Sequence, residues 1–291
     1  LKRVRGRAGA ISVVPGANCG LGNETGLAWA GKGCTCGHAC RNAAKADAAR
    51  AAILAQHPKA RIECLTLDLG SLKSVRAFAA AYKKRHATLD LLINNAGIMM
   101  PPYTLSEDGF ESQLAANYLG HFALTGLLLP LLTRTPNSRI VSLSSLAHNW
   151  GGIRFDDLNF ARGYNKRAAY GQSKLACLMF AYELNRRLRA TGSKTLSVAA
   201  HPGVAATNLA QNFPRFMSAL FPLVGQSAAN GALPTLYAAL GDDIEGGDYC
   251  GPRSLQQMRG APVKVGSNTA SRDEAAAARL WALSEQLTGV S

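Results

Sequence analysis

Residues 10–30 read AISVVPGANCGLGNETGLAWA, and they carry the strongest indication of the fold. A short β-type run leads into a turn with Gly16, Gly20 and Gly22, and a candidate helix follows. Glycines let a backbone approach a pyrophosphate, and the N-terminus of the helix offers unpaired N–H groups. A glycine cluster in isolation is more often an ordinary turn, but this position between strand and helix favours dinucleotide binding. The residues predicted to bind the cofactor here are Gly16, Asn18, Cys19, Gly20, Leu21 and Gly22.

Short β-type runs alternate with helical stretches along the rest of the chain. The predicted strands are 10–14, 34–40, 61–67, 89–94, 138–143, 195–200 and a weaker one near 248–250. The predicted helices are 21–30, 43–56, 71–85, 106–132, 168–189, 228–240 and 272–287. This alternation indicates an α/β fold, with a doubly wound, mostly parallel sheet of about seven strands and helices on both faces. Residues 10–291 are predicted to form a single domain after a basic tail at 1–9.

The composition bounds the class of protein. The formal charge is +14, but the lysines and arginines are scattered and form no basic face interleaved with aromatic residues. Nucleic acid is therefore not an expected partner. The seven cysteines lack the spacing of a disulfide scaffold, which favours reduced thiols. Reduced thiols fit a cytoplasmic setting, which is the expectation here, and we see neither a signal peptide nor an apolar run of membrane-spanning length.

The end of the second predicted strand bears on the choice of cofactor. An acidic residue there binds the ribose 2′-hydroxyl of NAD, whereas an arginine accommodates the 2′-phosphate of NADP. The sequence has Arg41 at this place and Lys45 one turn further on, which favours NADP(H). The alternative is that Arg41 is a solvated charge at the start of a helix.

Cys34, Cys36, His38 and Cys40 alternate along the same strand and raise the question of a metal site. Alternate residues of a strand lie about 6.6 Å apart. Zinc–sulfur bonds of about 2.3 Å require ligands that are closer together. Four ligands on one straight strand do not converge on one ion, so we expect no metal and interpret these residues as small and buried.

Tyr170 and Lys174 lie four residues apart in a predicted helix, which places them on one face. A free tyrosine is largely protonated at neutral pH and is a poor base. A nearby cation favours the phenolate, but one lysine seldom suffices, so a second positive charge or a buried hydrogen bond should lie close by. On its own, the pair is more often a surface contact, since this spacing is common in helices.

Glycines and polar residues follow most of the predicted strands, at the sheet edge where ligands bind. In chain order the motifs are GxxxGxG at 16–22, Asp68-Leu69, NNAG at 94–97, NYLG at 117–120, Ser144-Ser145, Tyr170-xxx-Lys174 and Pro202-Gly203 with Thr207. Each motif is loose, but the ordered set resembles the short-chain dehydrogenase/reductase family, which implies a Rossmann fold. The segments 39–42, 117–125 and 170–188 are most similar to the retinol dehydrogenase and WW-domain-oxidoreductase-like branch.

The resemblance implies roles for individual residues. Tyr170 would be the general acid/base, and Lys174 would bind the nicotinamide ribose and, with the positively charged ring of the oxidised cofactor, favour the phenolate. Ser145 would donate to the substrate carbonyl, and Asn117 would hold a water that connects Lys174 to solvent. Without the family order, Ser145 would be read as part of an ordinary turn and Asn117 as an ordinary polar helix residue. The other cofactor contacts implied are Asp68, Leu69, Asn94, Ala96, Gly97, Pro202, Gly203 and Thr207.

Two histidines and three departures from the family pattern complete the candidate site. His201 is expected to be structural, whereas His148 could reach a substrate but, as a loop histidine, is expected to be solvated. Pro15 stands where the family usually has threonine, and Cys19 stands in place of serine. Gly26 lies inside the first helix. These departures bear on cofactor affinity more than on the fold.

Segment 208–224 is rich in Phe, Leu and Met and is predicted to cover the substrate as a lid. An apolar lid suggests a hydrophobic carbonyl or alcohol, although the same segment could form a homodimer contact or touch a membrane surface. The predicted function is hydride transfer between NADP(H) and such a substrate. The alternatives are a cofactor-binding scaffold or sensor with little turnover, and a protochlorophyllide-reductase-like enzyme.

Overall fold

The computed structural model describes residues 10–17, 20–31, 33–204 and 226–291, which build an α/β architecture around one sheet. The strands are β1 (Ile11–Pro15), β2 (Thr35–Cys40), β3 (Arg61–Thr66), β4 (Leu91–Asn94), β5 (Arg139–Leu143), β6 (Leu196–Ala200), β7 (Tyr249–Ser254) and β8 (Arg259–Lys264). The helices are α1 (Gly20–Ala30), α2 (Ala43–Gln56), α3 (Leu72–Arg85), α4 (Ser112–Leu114), α5 (Gly120–Arg134), α6 (Lys166–Ala190), α7 (Ala228–Leu240) and α8 (Glu274–Thr288). A π-helical turn, Ala115–Leu119, joins α4 to α5.

The strand order β3-β2-β1-β4-β5-β6-β7-β8 confirms a doubly wound sheet. Strands β1 to β7 pair in parallel, and β8 runs antiparallel to β7 at the edge. After β3 the chain returns past β1 to form β4, so the order reverses between β1 and β4. Ligands bind at the carboxyl ends of the strands beside such a reversal. The described residues contribute eight strands to this sheet, where the sequence predicted about seven.

Both faces of the sheet are covered by helices, as parallel sheets require. Phe78 of α3, Leu124 of α5 and Leu175 of α6 belong to the core on one face. Leu21 of α1 and Leu236 of α7 belong to the core on the other. Two packed layers therefore fix the sheet edge at which the motif residues lie.

Two elements differ from the sequence predictions. The helix predicted from residue 106 begins at Ser112, because the Glu111 carboxylate accepts the N–H groups of Gln113 and Leu114 at 3.0 and 2.8 Å and caps the helix there. Strand β8 was missed, because Gly260 and Pro262 argue against a strand, yet both are tolerated at a sheet edge. The other predicted helices match the observed ones within two residues at each end.

Pro15 leaves the sheet ladder intact. Gly16 N–H donates to the carbonyl of Ala39 in β2 at 2.8 Å. Successive residues of a strand face opposite neighbours, so the Pro15 nitrogen faces β4. Pairing between β1 and β4 is confined to Ser12 and Val13, short of Pro15. The missing N–H therefore removes no ladder hydrogen bond from the described strands.

The continuous helical segment Ser112–Arg134 is long and apolar enough to span a membrane by length and composition alone. The sequence expectation of no such run was therefore too strict. Most of the segment is buried inside the protein, where it packs against α3 and α6. Its apolar character is accounted for by the core that it builds.

Candidate active site

The glycine turn after β1 is packed too tightly for side chains. Gly16 has φ +75°, a left-handed backbone that favours glycine. A Cβ atom at Gly22 would lie 2.4 Å from the Gly16 carbonyl oxygen. The Asn95 amide donates to the carbonyl of Pro15 at 3.1 Å and anchors the turn to the end of β4. Asn18 and Cys19 lie outside the described residues.

A cavity of about 740 Å³ runs along this edge of the sheet. Nine of the predicted cofactor residues line it: Gly16, Gly20, Leu21, Gly22, Arg41, Asp68, Leu69, Ala96 and Gly97. It also takes in Lys45, which the sequence analysis linked to NADP(H), and it takes in residues to which that analysis gave no role: Asn42, Asn95, Ile98 and Met99. The residues that follow β1, β2, β3 and β4 are thus brought together around one space.

Arg41 follows directly on β2 and is exposed, and Asn42 caps α2 by accepting from Lys45 N–H at 2.9 Å. Asp68 Oδ1 accepts from Gly70 N–H at 2.9 Å, which shapes the floor of the cavity after β3. The side chain of Asn94 lies elsewhere, since it is buried and donates to Thr125 Oγ1 at 3.0 Å. Asn94 is not among the residues that line the cavity.

Tyr170 and Lys174 lie one turn apart near the start of α6 and are both buried. The Lys174 Nζ atom is 5.9 Å from the centroid of the Tyr170 ring and donates to the carbonyl of Leu143 at 3.1 Å. Leu143 ends β5, so this hydrogen bond ties the ammonium to the edge of the sheet. A Cβ atom at Gly97 would lie 3.5 Å from Lys174 Nζ, which places the pair beside one end of the cavity.

Asn117 lies in the π-helical turn, where its amide is held from both sides. Its Oδ1 accepts from Ile98 N–H at 2.8 Å, while its Nδ2 donates to the Ile98 carbonyl at 3.0 Å and to Ser173 Oγ at 2.9 Å. The backbone carbonyl of Asn117 accepts from Cys177 Sγ at 3.1 Å. The side chain therefore connects the loop after β4 to the residue that precedes Lys174.

Ser145 follows β5 and is half-buried, with its hydroxyl accepting from Ala147 N–H at 3.1 Å. Ala147 packs against Tyr170 in a small apolar cluster with Met100, and Trp150 packs on its edge. The rings of Trp150 and Tyr170 are 6.1 Å apart between centroids. The Tyr170 ring therefore has apolar neighbours as well as the Lys174 ammonium.

Comparison with known proteins decides the family. A family model described as short chain dehydrogenase matches residues 10–217. The chain belongs to this family. It is 42% identical to retinol dehydrogenase 13 of Homo sapiens over 97% of the chain and 85% of that protein, which places it in the retinol dehydrogenase-like branch. The resemblance read from the motifs is confirmed.

Solved structures agree with this short-chain dehydrogenase fold. A crystal structure of an uncharacterised protein from Mycobacterium paratuberculosis is 43% identical, with a TM-score of 0.84, and covers 100% of this chain and 97% of its own. A short chain dehydrogenase from Shigella flexneri, complexed with NADP, is 22% identical with a TM-score of 0.67 over 84% of this chain and 98% of its own.

As a short-chain dehydrogenase, the protein is an oxidoreductase that uses a nicotinamide dinucleotide, and its residues fit that group. A Cβ atom at Gly16 would lie 3.0 Å from Ala96 Cβ, so the turn presents its backbone to the cavity without a side chain at this position. The cavity is lined by this turn and also by Arg41 and Met99. Backbone N–H groups at the start of α1 face an anion favourably.

His148 and His201, the two histidines considered for the site of this dehydrogenase, both have structural surroundings. His148 was predicted to be solvated, and this was wrong: the residue is 2% exposed, and its ring packs edge-on against Tyr249 at 5.8 Å between centroids. Its Nδ1 lies 2.7 Å from the carbonyl of Ser145, and burial lowers the pKa of His148. His201 is fully buried, as its structural role predicted, and burial lowers its pKa to about 4.

Two further contacts that the sequence reasoning did not foresee brace the loops of the dehydrogenase site. Asn95 holds the glycine turn, and His121 Nε2 lies 2.9 Å from the carbonyl of Ala96. Asn95 belongs to the NNAG motif and His121 directly follows the NYLG motif, but the spacing of a motif does not indicate which residues face the turn. Thr207 and the proposed lid 208–224 lie outside the described residues.

Among the residues that the structure describes, no group of three or more His, Cys, Asp or Glu side chains could hold a metal ion. Cys34, Cys36, His38 and Cys40 are all buried, as expected for small packed residues.

Proposed function

We propose that this protein transfers a hydride between NADP(H) and an apolar carbonyl or alcohol, with Tyr170 as general acid/base. The observation that carries the proposal is the position of Lys174, whose Nζ is 5.9 Å from the Tyr170 ring and beside Gly97 at the end of the cavity. A cation so placed stabilises negative charge on the phenol oxygen. Tyr170 can then take a proton from an alcohol or give one to a developing alkoxide.

When bound, the nicotinamide supplies the hydride acceptor or donor. The protein supplies the surroundings of the substrate oxygen. Tyr170 exchanges the proton, and Ser145 donates a second hydrogen bond that stabilises the oxyanion. Lys174 would bind the cofactor ribose, and its positive charge would stabilise the negative charge of the Tyr170 phenolate. Met99, Met100 and Trp150 belong to the apolar cluster that packs with Tyr170, and they would limit the access of water to its ring.

The preference for NADP(H) is supported by Arg41 and Lys45, which line the cavity where β2 ends and where the sequence has no acidic residue. The apolar cluster next to Tyr170 supports a hydrophobic substrate. We propose reduction as the direction in cells, because NADPH is the cofactor of reductive chemistry.

The test is Tyr170→Phe, which removes the proton carrier and keeps the ring packed against Ala147. We expect it to reduce turnover of apolar aldehydes by at least about a thousandfold, while NADPH binding, measured by fluorescence titration, stays close to wild type. Retained turnover would contradict the role of Tyr170. Wild-type protein that binds NADPH but reduces no member of a broad aldehyde and ketone panel would favour the scaffold alternative.

A further inference from the structure

The turn between β7 and β8, residues Leu255–Met258, has an unusual backbone. Leu255, Gln256 and Gln257 have φ values of 49°, 51° and 66°, so three successive non-glycine residues are left-handed. A non-glycine residue in this region is strained and persists only when its surroundings hold it. Leu255 is 53% exposed, so burial of this side chain does little to offset the strain.

The contacts that hold the turn lead to the loop after β6. Gly203 N–H donates to His201 Nδ1 at 3.2 Å, which leaves the ring proton on Nε2. His201 Nε2 then donates to Gln257 Oε1 at 3.0 Å. The His201 imidazole therefore links the Gln257 side chain to the backbone of Gly203. It makes both hydrogen bonds only while neutral, because a protonated Nδ1 cannot accept.

Backbone contacts support the same loop. Val204 N–H donates to the carbonyl of Met258 at 2.8 Å, and a Cβ atom at Gly203 would lie 2.3 Å from that carbonyl oxygen. Gln226 connects the loop after β6 to strand β8: its Nε2 donates to the Pro202 carbonyl at 2.8 Å, and its Oε1 accepts from Gly260 N–H at 3.3 Å. The loop 201–204 is thus fixed by the β7–β8 hairpin rather than by its own strand alone.

The geometry points to Gln257 as a positioning residue that acts through His201 to hold Pro202 and Gly203 in place for the nicotinamide end of the cofactor. The inference rests on the proposed function, since it assumes that the loop after β6 meets the nicotinamide. That loop leaves the sheet beside Leu143 of β5, which accepts the Lys174 hydrogen bond. The strained turn is therefore anchored to the part of the edge that carries the proposed chemistry.

The experiment compares Gln257→Ala with Gln256→Ala. Both substitutions are made in the same left-handed turn, but only Gln257 accepts from His201, whereas the side chain of Gln256 is exposed. Dissociation constants are measured for NADPH and for 2′,5′-ADP, which lacks the nicotinamide. We expect Gln257→Ala to bind NADPH about tenfold more weakly, because a buried donor loses its acceptor. Gln256→Ala should bind like wild type, and 2′,5′-ADP should bind equally to all three.

Equal NADPH affinity in the two alanine variants, or a matching loss of 2′,5′-ADP affinity in Gln257→Ala, would overturn the inference. Wild-type protein that binds neither ligand would overturn the proposed function instead. Gln257→Glu serves if the alanine variant does not fold. The carboxylate keeps the acceptor but favours an imidazolium, which cannot accept from Gly203, so NADPH affinity should fall between pH 8 and pH 6 by several-fold more than in wild type. His148 and Tyr249 are titratable neighbours of this imidazole and are present in both proteins. An unchanged pH profile would count against the link through His201.

Discussion

At the scale of single residues, Arg41 offers the most direct test of the cofactor proposal. Its exposed side chain lines the cavity at the end of β2. Arg41→Ala should weaken NADPH binding about tenfold, because it removes a charged contact to the 2′-phosphate. It should leave NADH binding nearly unchanged. Arg50→Ala, an exposed arginine of α2 that does not line the cavity, is the matched control. If titrations show that Arg41→Ala loses the same affinity for NADPH and for NADH, Arg41 does not bind the 2′-phosphate.

The sequence could predict residues whose spacing carries their chemistry. Tyr170 and Lys174 lie on one helix, so their i, i+4 spacing is enough to predict that they share a face. The environment of His148 depends on Tyr249, about a hundred positions away, and local sequence contains no signal for such a contact. The same holds for Gln257, whose partner His201 lies on another strand end.

At the scale of elements, the start of α5 determines how closely this helix approaches the cavity floor. A Cβ atom at Gly120 would lie 2.2 Å from the carbonyl oxygen of Leu69, which is backbone and cannot easily move. Gly120→Ala should lower the free energy of unfolding by about 2–3 kcal/mol through overpacking. Gly126→Ala on the same helix meets only the side chain of Val290, near the end of the chain. Its loss should stay within about 1 kcal/mol, because helix propensity offsets the contact.

Urea unfolding of the apoproteins measures both glycine variants. A Gly120→Ala protein as stable as Gly126→Ala would mean that the approach of α5 to Leu69 is loose. A Gly120→Ala protein that stays folded should also bind NADPH more weakly, since Leu69 lines the cavity.

Elements were predictable where periodicity and caps agree, as in α2, whose bounds match the prediction. The start of α4 was not, because helical spacing can be continued back through residues 106–111. There the isolated bridge between Leu105 and Glu111 and the carboxylate cap override the periodicity. Strand β8 depends on pairing with β7 rather than on its own residues, so its sequence indicates no strand.

At the scale of the whole molecule, burial of histidines links stability to pH. Burial lowers the pKa of His38, His121 and His201 to about 4 each. Both ring nitrogens of His38 lack a hydrogen-bond partner among the described residues. A Cβ atom at Gly26 of α1 would lie 2.8 Å from His38 Nε2, so the glycine leaves space for the His38 ring to pack against this helix. The three imidazoles sit in different parts of the protein and add their effects.

Folding therefore holds these histidines neutral at pH values where the unfolded chain, with an ordinary pKa of about 6.5, binds protons. Their contribution to stability is fully present above about pH 6.5 and is lost as the pH falls toward 4. His38→Leu removes one such group together with its unpaired nitrogens. The free energy of unfolding should fall between pH 7 and pH 5 in both proteins. The fall should be smaller in the variant, by up to roughly 2 kcal/mol. Urea unfolding of the apoproteins at both pH values measures the difference. Parallel losses in the two proteins would show that His38 is protonated in the folded state, and would contradict its burial as a neutral side chain.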